Sequence, residues 1–222
     1  MGSSPLGRIM EMTERFHRIY HTAGWAKNSG VLSGSGSTVN ACSSLAKWIS
    51  ESGSSKVLDL GCGDLEWMAT IEAITTQTIS YYGIDIIATL VAHHKRVFTW
   101  FDGEVSDIES LPDDRGADLV LLKDVLFHLS DDEAEAILRK ISSWTTWQLL
   151  AVTTHSGAKA TRGAPQGIYM APLDVEAFAE RLALSIGSPV ARLPRPDGGE
   201  IIIFRRSCGN MREGNALSFS GV

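Results

Sequence analysis

The stretch LDLGCGD, Leu58 to Asp64, puts two glycines among acids at the end of an apolar run. Gly61 and Gly63 let a chain turn sharply and approach a ligand where a Cβ would collide. A dinucleotide fingerprint needs a third glycine where this chain has Glu66. It also brings a diphosphate to a helix N-terminus, and here Asp59, Asp64 and Glu66 crowd that position with negative charge. Carboxylates there favour a cationic ligand, an ammonium or a sulfonium, over a diphosphate. Asp85 follows about 20 residues on, at the end of the next apolar run, where a carboxylate can accept both hydroxyls of a ribose. Asp107, in GEVSDIESLP, is placed to accept from the exocyclic amine of an adenine. An adenosine with a positively charged, amino-acid-like tail fits all three positions.

Lys123 and Asp124 close a fourth apolar run, and His128 follows at a spacing that puts it on the Asp124 face of a helical turn. A histidine there can serve as general base near neutral pH. Each of these residues also has a bland use. Gly61 and Gly63 make a tight turn, Asp85 and Asp124 cap helices, Asp107 belongs to an ordinary acidic loop, and His128 packs in a core. Asp118 opens a strand and reads as structural. His93 and His94 fall mid-helix and read as surface residues, and His155 follows the fifth strand as an outlying candidate base.

The elements that would position these residues alternate. Strands are expected at Lys56–Leu60, Ile79–Ile84, Val97–Phe101, Asp118–Leu122 and Trp147–Val152, with helices between them starting near Leu65, after Asp85 and at Asp131. Such spacing implies a parallel, doubly wound sheet with helices on both faces, an α/β Rossmann-like fold. Near the end the alternation breaks: a helix around Val175–Leu184 leads into two apolar runs, Pro189–Leu193 and Ile201–Phe204, split by PRPDGG. That is a hairpin signal, so the sheet is expected to have seven strands and to end in an antiparallel hairpin. Three parts follow: an N-terminal helical cap and covering loop (1–55), an α/β core (56–206) and a flexible tail (207–222).

The net charge of −6 disfavours tight non-specific nucleic-acid binding. The three cysteines (Cys42, Cys62, Cys208) have no metal-ligand spacing, so neither a zinc site nor a disulfide framework is expected. No secretory or membrane-spanning pattern is present, which makes a cytoplasmic protein without membrane association the expectation.

LDLGCGDLEWM, YYGIDII and ADLVLLKDVLFHL closely resemble the successive motifs of class I S-adenosylmethionine-dependent methyltransferases, over residues 56 to about 152. Trp25 and the run Ser33–Ser37 resemble a Trp plus Ser-Gly-x-Gly-Ser segment that a group of small bacterial-type members carries before the first motif. The resemblance implies S-adenosylmethionine as cofactor and S-adenosylhomocysteine as product. Carried over by position, Asp59, Gly61 and Gly63 would line the methionine portion, with Cys62 supplying backbone. Asp85 would hold the ribose and Ile86 would pack on the adenine. Asp107, with the backbone of Ser106 or Ile108, would bind the adenine edge. Lys123 and Asp124 would face the transferred methyl group, and the Trp25 loop would close over the cofactor. The acceptor is not implied, since the fold serves many acceptors. The acidic balance and the lack of an added recognition domain favour an oxygen or nitrogen of a small molecule. An RNA or protein methyltransferase, using the basic residues of the last third, is one alternative, and a non-catalytic cofactor-binding scaffold subunit is another.

Overall fold

The computed structural model describes residues 13–16, 39–158, 171–195 and 198–207. Trp25, Ser33–Ser37 and the expected tail lie outside the described residues, apart from Ser207. Seven strands, β1 (Lys56–Leu60), β2 (Ser80–Asp85), β3 (Asp102–Val105), β4 (Leu119–Leu122), β5 (Leu149–Thr154), β6 (Ser188–Pro194) and β7 (Glu200–Arg205), form one sheet in the order β3-β2-β1-β4-β5-β7-β6. The first five run parallel, and β7 lies antiparallel between β5 and β6. Strand order reverses between β1 and β4, so the carboxyl ends of those two strands flank the crevice where ligands of open α/β sheets bind.

The strands are apolar on both faces because both are covered. Leu58 and Leu60, Val120 and Leu122, and Ile202 and Phe204 point into one core, with Ile137, Leu138 and Ile141 of α4 (Asp131–Ser143) and Phe178 of α5 (Val175–Arg181). Val57, Leu119, Leu121, Ile201 and Ile203 point the other way, onto Leu45 and Ile49 of α1 (Val39–Glu51) and Val91 of α3 (Ala88–Val97). Leu45 and Ile49 are fully buried, each worth roughly 2 kcal/mol of apolar burial. Helix α4 starts where it does because Ser130 and Glu133 form a reciprocal capping box.

Two expected elements differ. The apolar run 97–101 is not a strand: Val97 ends α3, the Phe98 amide still bonds the His94 carbonyl, Trp100 and Phe101 pack against Tyr81, and Phe98 packs against Trp100. The third strand is the polar Asp102–Val105, an edge strand that needs little apolar content. The helix expected from Leu65 is broken. Leu65 itself is left-handed (φ 62°), and only a 3₁₀ turn (Met68–Thr70) and the single-turn α2 (Glu72–Thr75) follow. Among the described residues no helix is long and apolar enough to cross a membrane.

Candidate functional site

The loop after β1 is wound tightly and tied down on three sides. Gly61 and Gly63 have φ of 80° and 61°, so both use the freedom that placed them there. A Cβ on Gly61 would lie 2.6 Å from the Val125 side chain. The amides of Gly61 and Cys62 both donate to the Ile84 carbonyl (2.8 and 2.9 Å). The Gly63 amide donates to Asp85 Oδ2 (2.9 Å), and the Ile87 amide donates to the other oxygen of that carboxylate (2.9 Å). The Gly63 carbonyl accepts from His94 Nε2 at 2.7 Å.

Asp59, near the end of β1, is buried and accepts from the Tyr81 hydroxyl at 2.7 Å. Tyr81 pairs with Val57 in the β1–β2 register, so its ring lies on the same face as Asp59. Burial pushes the Asp59 carboxyl up to about 6, against the Tyr81 hydrogen bond and the charge of Lys123. Asp85 is also raised, by burial, although the amides of Ile87, Gly63 and Ile86 hold its charged form. Both acids are therefore stabilised by a positive charge arriving from outside. The Cys62 thiol is buried beside them and pushed well up, so it is an inert thiol whose contribution is its backbone amide.

At the end of β4 the electrostatics invert. Asp124 is itself left-handed (φ 59°). Its carboxylate pairs with Lys123 and with Arg195 from the β6–β7 turn. Thr153 of β5 both receives the Asp124 amide and donates to Asp124 Oδ1, each at 3.0 Å. Burial would raise this acid, but Lys123 and Arg195 bring it down to about 2. Lys123 Nζ also lies 5.5 Å from the Trp67 ring centre, a cation–π contact. His128 sits in a 3₁₀ turn (Leu126–His128), 4.5 Å from the Phe127 ring, and burial lowers it to about 4, so the imidazole is neutral near pH 7.

The remaining candidates fall around the same edge. The Ser106 amide donates to the Asp85 carbonyl, which joins the β3 end to the β2 end. Asp107 caps a short turn, accepting from the Glu109 amide at 3.3 Å, the loop use open to it from sequence. Ile86 is half-buried. Asp59, Gly61, Cys62, Gly63, Asp85, Ser106 and Lys123 thus gather at the carboxyl ends of β1, β2, β3 and β4, with Asp124 one position beyond Lys123. Asp118 accepts three hydrogen bonds from Ser55 and Lys56 and ties the β1 and β4 starts together, away from this edge. Among the described residues no cluster of three or more His, Cys, Asp or Glu could hold a metal ion.

Three participants were not foreseen. Tyr81 was legible in principle, as a polar-tipped side chain on the β2 face that Asp59 shares. His94 is 1% exposed rather than a surface residue; its spacing from Val91 on α3 marks the buried face. Arg195, in a Pro- and Gly-rich turn, carried no local signal of its long-range partner.

Residues 57–146 match the family model for a methyltransferase domain. No curated protein matches the chain in sequence. Several solved structures share the fold at low identity. The 1,6-didemethyltoxoflavin-N1-methyltransferase of Burkholderia thailandensis, with S-adenosylhomocysteine bound, has 17% identity and a TM-score of 0.64, over 93% of this chain and 92% of that one. Mitomycin 7-O-methyltransferase has 18% identity and a TM-score of 0.62, over 92% and 69%. The N-methyltransferase NodS of Bradyrhizobium japonicum, also with S-adenosylhomocysteine, has 13% identity and a TM-score of 0.59, over 89% and 98%.

Proposed function

We propose that this S-adenosylmethionine-dependent methyltransferase moves its methyl group to an oxygen or nitrogen of a small-molecule acceptor. The observation that carries the cofactor's placement is the pair of buried acids, Asp59 and Asp85, both raised by burial at the strand ends on either side of a left-handed glycine loop. A ligand with a cationic tail and a ribose satisfies both. In this reading Asp59, Gly61, Cys62 and Gly63 line the methionine portion, Asp85 holds the ribose, and Ile86, Ser106 and Asp107 border the adenine.

The bound cofactor supplies an electrophilic methyl on a good leaving group, so the protein's task is chiefly to align the acceptor and exclude water. Asp124 ionised and His128 neutral are both in the form that accepts a hydrogen bond from an acceptor hydroxyl or amine. Both are weak bases, but an oxygen or nitrogen gaining a methyl becomes a much stronger acid, so a weak base suffices to take its proton. Lys123 holds Asp124 in place.

Small acceptors are favoured over RNA because three of the basic residues of the last third are internally occupied. Arg192 pairs with Glu176 and Glu200, Arg195 with Asp124, and Arg206 bonds the Trp144 carbonyl. The small-molecule methyltransferases among the structural neighbours point the same way.

Calorimetric titration with S-adenosylhomocysteine on the wild type and on Asp85→Ala tests the reading. The wild type is expected to bind, with affinity reduced at least about tenfold in the variant, a loss near 1.4 kcal/mol. Failure of the wild type to bind would sink the proposal. With an acceptor in hand, Asp124→Asn and His128→Ala are expected to lower kcat while leaving S-adenosylhomocysteine affinity within about twofold.

A further inference from the structure

The loop from Gly61 to Leu65 carries three left-handed residues in five positions, and the third is a buried leucine (φ 62°, 1% exposed). A β-carbon-bearing residue held there costs on the order of 1–3 kcal/mol and persists only where its surroundings over-determine it. The surroundings are the tethers already described. The Ile84 carbonyl fixes the amides of Gly61 and Cys62, the Asp85 carboxylate fixes the Gly63 amide, and His94 fixes the Gly63 carbonyl. Gly63 is thus held through both of its backbone polar groups, one by the acid that reads as the ribose ligand and one by α3.

The His94 bond has a defined sense. A carbonyl only accepts, so Nε2 carries the proton and Nδ1 is bare in the neutral ring. The ring is almost wholly buried, edge-on to Phe101 (5.2 Å between ring centres) and tilted against Phe98 (5.9 Å), and its Nδ1 has no hydrogen-bond partner. A buried nitrogen without a partner is costly, and a leucine there would avoid it. The one polar contact the ring makes in return is to the peptide that the cofactor must approach.

We infer that His94 is a positioning residue for the cofactor: through the Gly63 carbonyl it holds the strained glycine loop in its ligand-ready shape. This rests on the methyltransferase reading above. The test titrates S-adenosylhomocysteine against wild type, His94→Leu and His94→Gln, below all melting transitions, with binding stoichiometry reporting the folded fraction. Glutamine places an amide N–H close to where Nε2 sits, whereas leucine fills the space without a donor. The inference expects affinity to fall roughly five- to tenfold in His94→Leu, one hydrogen bond's worth, and to recover to within about twofold in His94→Gln. Should the leucine variant not fold, His94→Asn, too short to reach Gly63, takes its place. Equal affinity in all three proteins overturns the inference and leaves the methyltransferase reading standing. Equal weakening in Leu and Gln also overturns it, since the ring's packing rather than its hydrogen bond would then be responsible. No binding by the wild type overturns both.

Discussion

Asp59, near the end of β1, and Asp124, just past the end of the neighbouring β4, sit at the same edge of the sheet, the first buried and the second nearly so, yet their surroundings move them in opposite directions. At the β1–β2 end burial dominates. Asp59 rises to about 6 and Asp85 rises too, because a tyrosine hydroxyl, backbone amides and one lysine charge are too little to offset desolvation. At the β4–β5 end the same desolvation is overcome by Lys123 and Arg195, and Asp124 drops to about 2. One end is left short of positive charge and suits a cationic ligand. The other is neutralised from within and is built to hold its shape. In the proposed reading, a single crevice takes the charged cofactor on one side and keeps a rigid, weakly basic wall on the other.

That contrast breaks most visibly at Arg195, whose side chain is 1% exposed. Arg195→Met removes one of the two cations and leaves a nearly buried carboxylate half-compensated, which costs about 4 kcal/mol. Urea unfolding is expected to show the loss, with S-adenosylhomocysteine affinity little changed at a temperature where the variant is folded. A loss below about 1 kcal/mol would mean that the β4–β5 end is not held by its ion network, and the comparison would collapse. On the opposite side, Gly61→Ala combines a left-handed φ with overlap against Val125. It is expected to cost about 3 kcal/mol and also to abolish cofactor binding. Retained affinity would show that the glycine loop does not shape the cofactor side.

Much of this architecture could be read before any coordinates, and the reasons for the exceptions are physical. The strand β1 and the closing hairpin were legible because their signals are local: an apolar run ending in glycine, and two apolar runs around a Pro/Gly turn. The acids at the strand ends were legible in position because each lies at or near the close of an apolar run. The third strand was not. The run 97–101 has strand-like composition, but its Trp100 and Phe101 pack against Tyr81, and the edge strand that follows is polar. Nor was the character of Asp124. Its two cations come from adjacent Lys123 and from a turn far along the chain, and only the fold brings Arg195 to it. The bond from His94 to Gly63 likewise crosses from a helix to a loop that sequence pattern alone does not pair.

The smallest effect sharpens the comparison most, because it pits stability against binding at one atom. Asp59 titrates near 6 in the folded chain against 3.8 for an ordinary aspartate. The folded state therefore binds the proton more tightly, and the group's contribution to stability is full below about pH 4 and is lost as pH rises through about 6. At pH 7 the free protein carries a buried charge that Tyr81 and Lys123 compensate only in part. Asp59→Asn keeps an acceptor for the Tyr81 hydroxyl and removes that charge, so it is expected to stabilise the free protein by up to about 3 kcal/mol at pH 7. The advantage should shrink towards zero as the pH is lowered to 4, as thermal unfolding across that range would show. Affinity for S-adenosylhomocysteine should move the other way, falling in the variant and, in the wild type, falling as pH drops below about 6, because the ligand's ammonium favours the ionised acid. A variant that gains stability and keeps its affinity would separate Asp59 from the cofactor. Gain of stability together with loss of affinity is what a site kept short of positive charge for its ligand requires.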